Sequence, residues 1–165
     1  MLSIIVDTDV GYDDLLAILC LMNRHDITIE AFTVLNGISP VVEGAKALLS
    51  LQEMLGIHPY IPVYLASGQQ SFTLPDSFRG EATSLEWKPP ARPRPSSKNA
   101  EEWLSTRFQE QDATVLAIGP LTNLAQVLPP SHLSDLGVKT KASGLRHPKS
   151  SSKTYFGVSD APNER

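Results

Sequence analysis

Apolar residues in this chain fall into short unbroken runs separated by stretches of helical spacing. Residues 2–6, containing Ile4, Ile5 and Val6, show no polar alternation, which predicts a strand covered on both faces. Residues 13–23 place Leu15, Ile18, Leu19 and Met22 at helical spacing, and Asn23 to Asp26 close that helix with polar residues. Residues 27–35 predict a second strand: Ile27, Ile29 and Ala31 alternate before Phe32-Thr33-Val34-Leu35. Asn36-Gly37 then reads as a turn. Ser39 is expected to cap the next helix, with Pro40 at its first position and Gly56 just past its end. Its expected apolar face is Val42, Ala45, Leu48, Leu49, Leu51, Met54 and Leu55.

A short third strand is expected over 61–65, with Pro62 at its first residue or off the paired edge. Asn99 caps a predicted helix over 99–108, whose Trp103, Leu104 and Phe108 face inward. Residues 113–118 are a fourth buried strand, and Pro120 suits the start of the helix after it. Strands alternating with helices predict an α/β protein: an open, mostly parallel, Rossmann-like sheet with flanking helices.

Two stretches break the pattern. Residues 67–98 show no sustained periodicity, and Lys88 to Pro95 reads as a polyproline-like loop that could also serve as an SH3-type ligand. Beyond Leu128, Pro129-Pro130 interrupt the helix, and Lys139, Lys141, Arg146, Lys149 and Lys153 follow with few apolar residues between them. The expected division is an α/β domain over 1–128, C-terminally truncated or divergent, and a flexible tail over 129–165.

Bulk properties narrow the function. The chain has 165 residues, 41% hydrophobic and 19% charged, with a formal net charge of −4. That composition fits one globular domain and gives no basic surface for nucleic acid. Cys20 is the single cysteine, so no disulfide framework forms within the chain, and its place in an apolar helix predicts a buried, inert thiol. His25 is expected at the surface near a helix end. No apolar run suggests a leader or a membrane span, so a cytoplasmic protein is expected.

The chemistry gathers where the first strand ends. Asp7, Asp9, Asp13 and Asp14 place four carboxylates within eight positions, on the loop leaving the carboxyl end of a buried strand. Open α/β sheets bind ligands at that end. Clustered carboxylates repel, and a bound hard cation with oxygen ligands relieves the repulsion. No cysteine or histidine adjoins the loop, which argues against zinc.

The run Asp7-Thr8-Asp9-Val10-Gly11-Tyr12-Asp13-Asp14 resembles the N-terminal motif of the nucleoside hydrolases, the inosine–uridine-preferring family. Gly119-Pro120-Leu121-Thr122-Asn123, after the fourth strand, is similar to a second turn of that family. The resemblance covers roughly residues 2–128 and implies a Ca²⁺-dependent enzyme. Such an enzyme cleaves the N-glycosidic bond of ribonucleosides and can associate as a homo-oligomer. It implies Asp9 as calcium ligand and general base, Asp14 as a second ligand, and the Thr122 backbone carbonyl as a third. Asp13 would hold ribose hydroxyls and Asp7 would support the loop. Asn36 would contact substrate, although Asn36-Gly37 reverses the family's Gly-Asn order. The family's His-Gly pair finds Arg79-Gly80 here, and its C-terminal His-Asp pair has no recognisable counterpart. Turnover by this chain is therefore expected to be strongly reduced or absent.

Two other functions compete. Asp7-Thr8-Asp9-Val10 also resembles the loop of haloacid-dehalogenase-type phosphatases, with Asp7 as nucleophile and Mg²⁺ as metal. A non-catalytic metal- or pentose-binding remnant, or an assembly role, is the third possibility.

Overall fold

The computed structural model describes residues 1–67, 79, 94–110, 113–129 and 155–157, the last three by their backbone alone. The sheet is parallel and five-stranded. Its strands are β1 (Leu2–Thr8), β2 (Ile27–Val34), β3 (Val63–Leu65), β4 (Val115–Ala117) and β5 (Tyr155–Gly157), in the spatial order β3-β2-β1-β4-β5. The helices are α1 (Tyr12–Met22), α2 (Val41–Met54), α3 (Ala100–Glu110) and α4 (Thr122–Val127). The expected open, parallel α/β architecture is thus observed.

Both sheet faces are covered, which is why β1 is apolar without alternation. Ile4 and Val6 join Ile18 of α1 and Leu48 of α2 in one core. Ile5 joins Leu104 of α3 and Leu124 of α4 in the other. Strand order reverses beside β1: the chain leaves it toward β2, while β4 lies on its other side. The crevice at such a reversal, at the carboxyl ends of the strands, is the ligand position in open α/β sheets.

The pairing of β1 with β2 slips once. Ile4 faces Ile29, but Ile5 faces Ala31, so Glu30 is left unpaired in a β-bulge. Above the slip, Val6 faces Phe32 and Asp7 faces Thr33. The Glu30 carboxylate forms an ion pair with Arg107 of α3.

Several local expectations hold. Gly56 takes a left-handed φ of 64°. The amides of Gly56 and Ile57 reach back to the carbonyls of Glu53 and Gln52, closing α2 as glycine-terminated helices do. Asn99 caps α3, its Oδ1 accepting from the Glu102 amide at 2.7 Å. Pro62 lies just before β3, where its carbonyl still accepts from Phe32 N at 2.9 Å.

Others are corrected. Pro40, not Ser39, is the N-cap of α2: its backbone is extended, and its carbonyl accepts the first helical bond from Gly44 N. The Ser39 hydroxyl instead donates to the Val10 carbonyl at 2.8 Å, across the gap to the β1 loop. Pro120 precedes α4 by two residues, since Leu121 is its N-cap. Cys20 is exposed. The run Leu15 to Leu21 is apolar on all sides of α1, and the stripe through Tyr12, Leu16 and Cys20 is the one left facing solvent. Val42, Met54 and Leu55 are likewise exposed. The proline-rich stretch up to residue 93 and most of the expected tail lie outside the described residues. Residues 155–157 are an exception: they add a parallel strand beside β4 that no sequence pattern announced. Among the described residues, no helix is long and apolar enough to cross a membrane.

Candidate functional site

The site begins where β1 runs out. Alternation sends Asp7 to the face of Ile5 and Thr8 to the face of Val6, and Asp9 then leaves the sheet. Val10 carries a left-handed φ of 57°, uncommon for a β-branched residue. The surroundings hold it there. Val10 N donates to Thr8 Oγ1 at 2.9 Å, Ser39 Oγ holds the Val10 carbonyl, and the side chain packs in the first core. This reversal turns the chain into α1, with Gly11 as N-cap.

The first turn of α1 separates the two adjacent acids. Asp14 points inward and is 6% exposed, whereas Asp13 is exposed. One carboxylate oxygen of Asp14 accepts from Thr8 Oγ1 at 2.6 Å and from the Gly11 amide at 3.3 Å. The second bond is the reciprocal half of a capping box. Asp14 also lies within hydrogen-bonding reach of Asp9. Burial, reinforced by the charge of Asp9, pushes the Asp14 carboxyl up to about 7.

Asp9 is enclosed by three loops. Its Oδ2 accepts from Ile38 N at 2.9 Å, and its carbonyl accepts from Ser39 N at 3.1 Å. Two glycines make room for it. A Cβ on Gly37 would lie 2.0 Å from Asp9 Oδ2, and one on Gly119 would lie 2.8 Å from the Asp9 backbone nitrogen. The turns after β2 and β4 therefore press against Asp9 from both sides, which larger residues would prevent.

Beneath this cleft Asp7 is fully buried. Its Oδ1 accepts from Thr33 Oγ1 at 2.5 Å and from Asn123 Nδ2 at 2.8 Å. Desolvation outweighs those two donors and pushes the Asp7 carboxyl up to about 7.

The structure thus brings Asp9 and Asp14 together and places Asp7 under them. Thr122 opens α4, one residue before Asn123. Asn36 sits at the end of β2, where its side-chain oxygen accepts from Arg79, whose Nε also donates to the Gly37 carbonyl at 3.3 Å. No role follows from the sequence for Thr8, Thr33 or Asn123, and Ser39 is expected only as a helix cap. Thr8 and Asn123 lay inside quoted motifs, which was the available signal.

Two buried carboxyls meeting at the mouth of a glycine-lined cleft fit a divalent cation as two of its oxygen ligands. Among the described residues, no three His, Cys, Asp or Glu side chains form a metal cage. Asp9 and Asp14 by themselves would supply only part of a coordination shell.

Residues 4–131 match the family model described as inosine-uridine preferring nucleoside hydrolase. Uridine nucleosidase 1 of Arabidopsis thaliana is 32% identical over 131 residues, covering 74% of this chain and 38% of that protein. The inosine-uridine preferring nucleoside hydrolase of Bacillus anthracis superposes with a TM-score of 0.68 at 21% identity, over 78% of this chain and 45% of its own. A plant nucleoside hydrolase superposes with a TM-score of 0.64 at 27% identity, over 76% of this chain and 42% of its own. The chain spans less than half the length of these relatives. The match takes in both turns that enclose Asp9, and the chain belongs to the inosine-uridine preferring nucleoside hydrolase family.

Proposed function

We propose that the chain carries the metal- and ribose-binding half of a calcium-dependent ribonucleoside hydrolase. The observation that supports this most directly is the meeting of Asp9 and Asp14 at the strand-order reversal, closed in by Gly37 and Gly119.

Asp9 and Asp14 would hold the ion, with the Thr122 carbonyl as a third ligand. Calcium, when bound, supplies positive charge that acidifies a water and grips neighbouring sugar hydroxyls. Asp9 would accept the proton of the attacking water as general base. The bond from sugar to base breaks with both electrons leaving on the base, through a sugar cation that the Asp9 and Asp14 carboxylates stabilise. Asp13, exposed in the first turn of α1, would take ribose hydroxyl protons as a hydrogen-bond acceptor. Asn36 would orient the substrate from the end of β2, and Asp7 would support the loop from below. The departing base of a natural nucleoside needs a proton, and the family's C-terminal His-Asp pair, which would help it leave, has no recognisable counterpart in the sequence. Weak turnover of inosine and uridine follows.

A chromogenic riboside with a good leaving group, p-nitrophenyl riboside, removes that need. With calcium the chain is expected to release p-nitrophenol, and chelator or Asp9→Ala should lower the rate by about 100- to 10,000-fold. Calcium-dependent stabilisation without any release would reduce the chain to a binding module. Release of phosphate from a phosphomonoester with Mg²⁺ would favour phosphatase chemistry instead.

A further inference from the structure

We infer that Asn123 is a positioning residue that sets metal affinity from beneath the site, an inference that rests on the metal-binding function proposed above. The turn after β4 and the loop after β1 run to different helices. The structure gives one backbone bond between them at the top of the sheet, from Ile118 N to the Asp7 carbonyl at 2.9 Å. Past that bond the turn approaches Asp9 through Gly119.

The remaining tie is made by side chains. Asn123, fully buried in the first turn of α4, donates to Asp7 Oδ1 at 2.8 Å. The same oxygen takes the Thr33 hydroxyl from β2. One oxygen of β1 thereby joins the elements that lead into all three loops around Asp9: its own, the Asn36-Gly37 bend and the Gly119–Asn123 turn. Among the described residues no second hydrogen bond runs from α4 to β1, although Leu124 shares an apolar core with Ile5. The helix is six residues long, and its N-cap, Leu121, makes no side-chain cap hydrogen bond. Asp7 Oδ2 and Asn123 Oδ1 are buried without a partner among the described residues, so the pair has no second contact to fall back on.

Both side chains are 0% exposed. They cannot touch a ligand in the cleft. Their effect passes through position: Thr122 precedes Asn123 directly, so the hold on Asn123 fixes where the Thr122 carbonyl points. Partners that orient metal ligands commonly change affinity by about 10- to 100-fold when removed.

The test is calcium titration of the 165-residue chain by calorimetry, with melting temperatures recorded in chelator. Asn123→Ala should weaken calcium binding by about 10- to 100-fold. Asn123→Asp should also weaken it, since two carboxyls then face each other. The exchanged pair Asp7→Asn with Asn123→Asp should recover most of the affinity, because the position-7 amide can donate to the new carboxylate while its oxygen still accepts from Thr33. A lower melting temperature in chelator with calcium affinity unchanged would mean a purely structural role and would overturn the inference. An exchanged pair binding no better than Asn123→Asp alone would overturn it as well, even where Asn123→Ala fails to fold. If the unaltered chain binds no calcium, the metal-binding function itself falls, and this inference with it.

Discussion

Asp7 and Asp14 are both buried carboxyls pushed up to about 7, yet their surroundings ask for different things. Asp7 lies beneath the sheet's end, against two neutral donors, Thr33 and Asn123. Asp14 lies at the open end, with another carboxyl as its neighbour. The first environment is closed to solvent, and both donors go to one of the two carboxyl oxygens. The second leaves like charges side by side, which a cation would stabilise strongly. A raised carboxyl therefore does not identify a functional acid by itself. The charge of Asp9 raises both groups, but Asp14 has that carboxyl within hydrogen-bonding reach, and this closeness marks it as the proposed ion ligand.

The pH dependence of stability should resolve the two. Both groups ionise higher in the folded chain than the ordinary 3.8, so the folded state holds protons that the unfolded state releases. Their stabilising contribution is complete below 3.8 and is lost as pH rises toward about 7. Each pKa unit corresponds to about 1.4 kcal/mol, so this is the largest effect expected. Melting curves across that window in chelator should show the decline. Saturating calcium should abolish Asp14's share and leave Asp7's. A profile indifferent to calcium would erase the distinction.

Gly37→Ala acts on the open region alone. Its Cβ would fall 2.0 Å from Asp9 Oδ2, displacing that oxygen from Ile38 N. A stability loss of about 1–3 kcal/mol is expected from the overpacking, together with weakened calcium binding. Denaturant melts and calcium titration of the variant read both. Thr33→Val acts on the closed region and should be milder, about 1 kcal/mol by denaturant melt, since Asn123 still donates to Asp7.

Much of this arrangement was legible from local pattern. Unbroken apolar runs marked the strands, because a doubly covered strand needs no polar phase. The acids after β1 marked the site, because carboxylates collect there only with a reason. The neighbours Asp13 and Asp14 were harder. Adjacent helical residues point about 100° apart, and only the packing of α1 shows that Asp14 turns inward. The same packing leaves Cys20 outside. Thr33 and Asn123 stayed silent for another reason. They reach Asp7 across 26 and 116 residues of chain, and contacts made at that separation leave no periodic trace.

The bulge at Glu30 carries a consequence for how this chain can change length. A strand has two phases, and one extra residue converts one into the other. Below Glu30, Ile29 faces the same core as Ile4; above it, Phe32 faces the same core as Val6. Losing that single residue would iron out the bulge and keep Thr33 opposite Asp7, whereas pairing Glu30 flush into the ladder would bring Phe32, not Thr33, opposite Asp7. In that flush register a hydroxyl donor would give way to an aromatic ring beside a buried carboxyl, whereas loss of Glu30 would cost Arg107 its counter-ion. The bulge therefore acts on the site as a parity switch that a deletion at Glu30 leaves untripped, although the composition of the strand would scarcely register it.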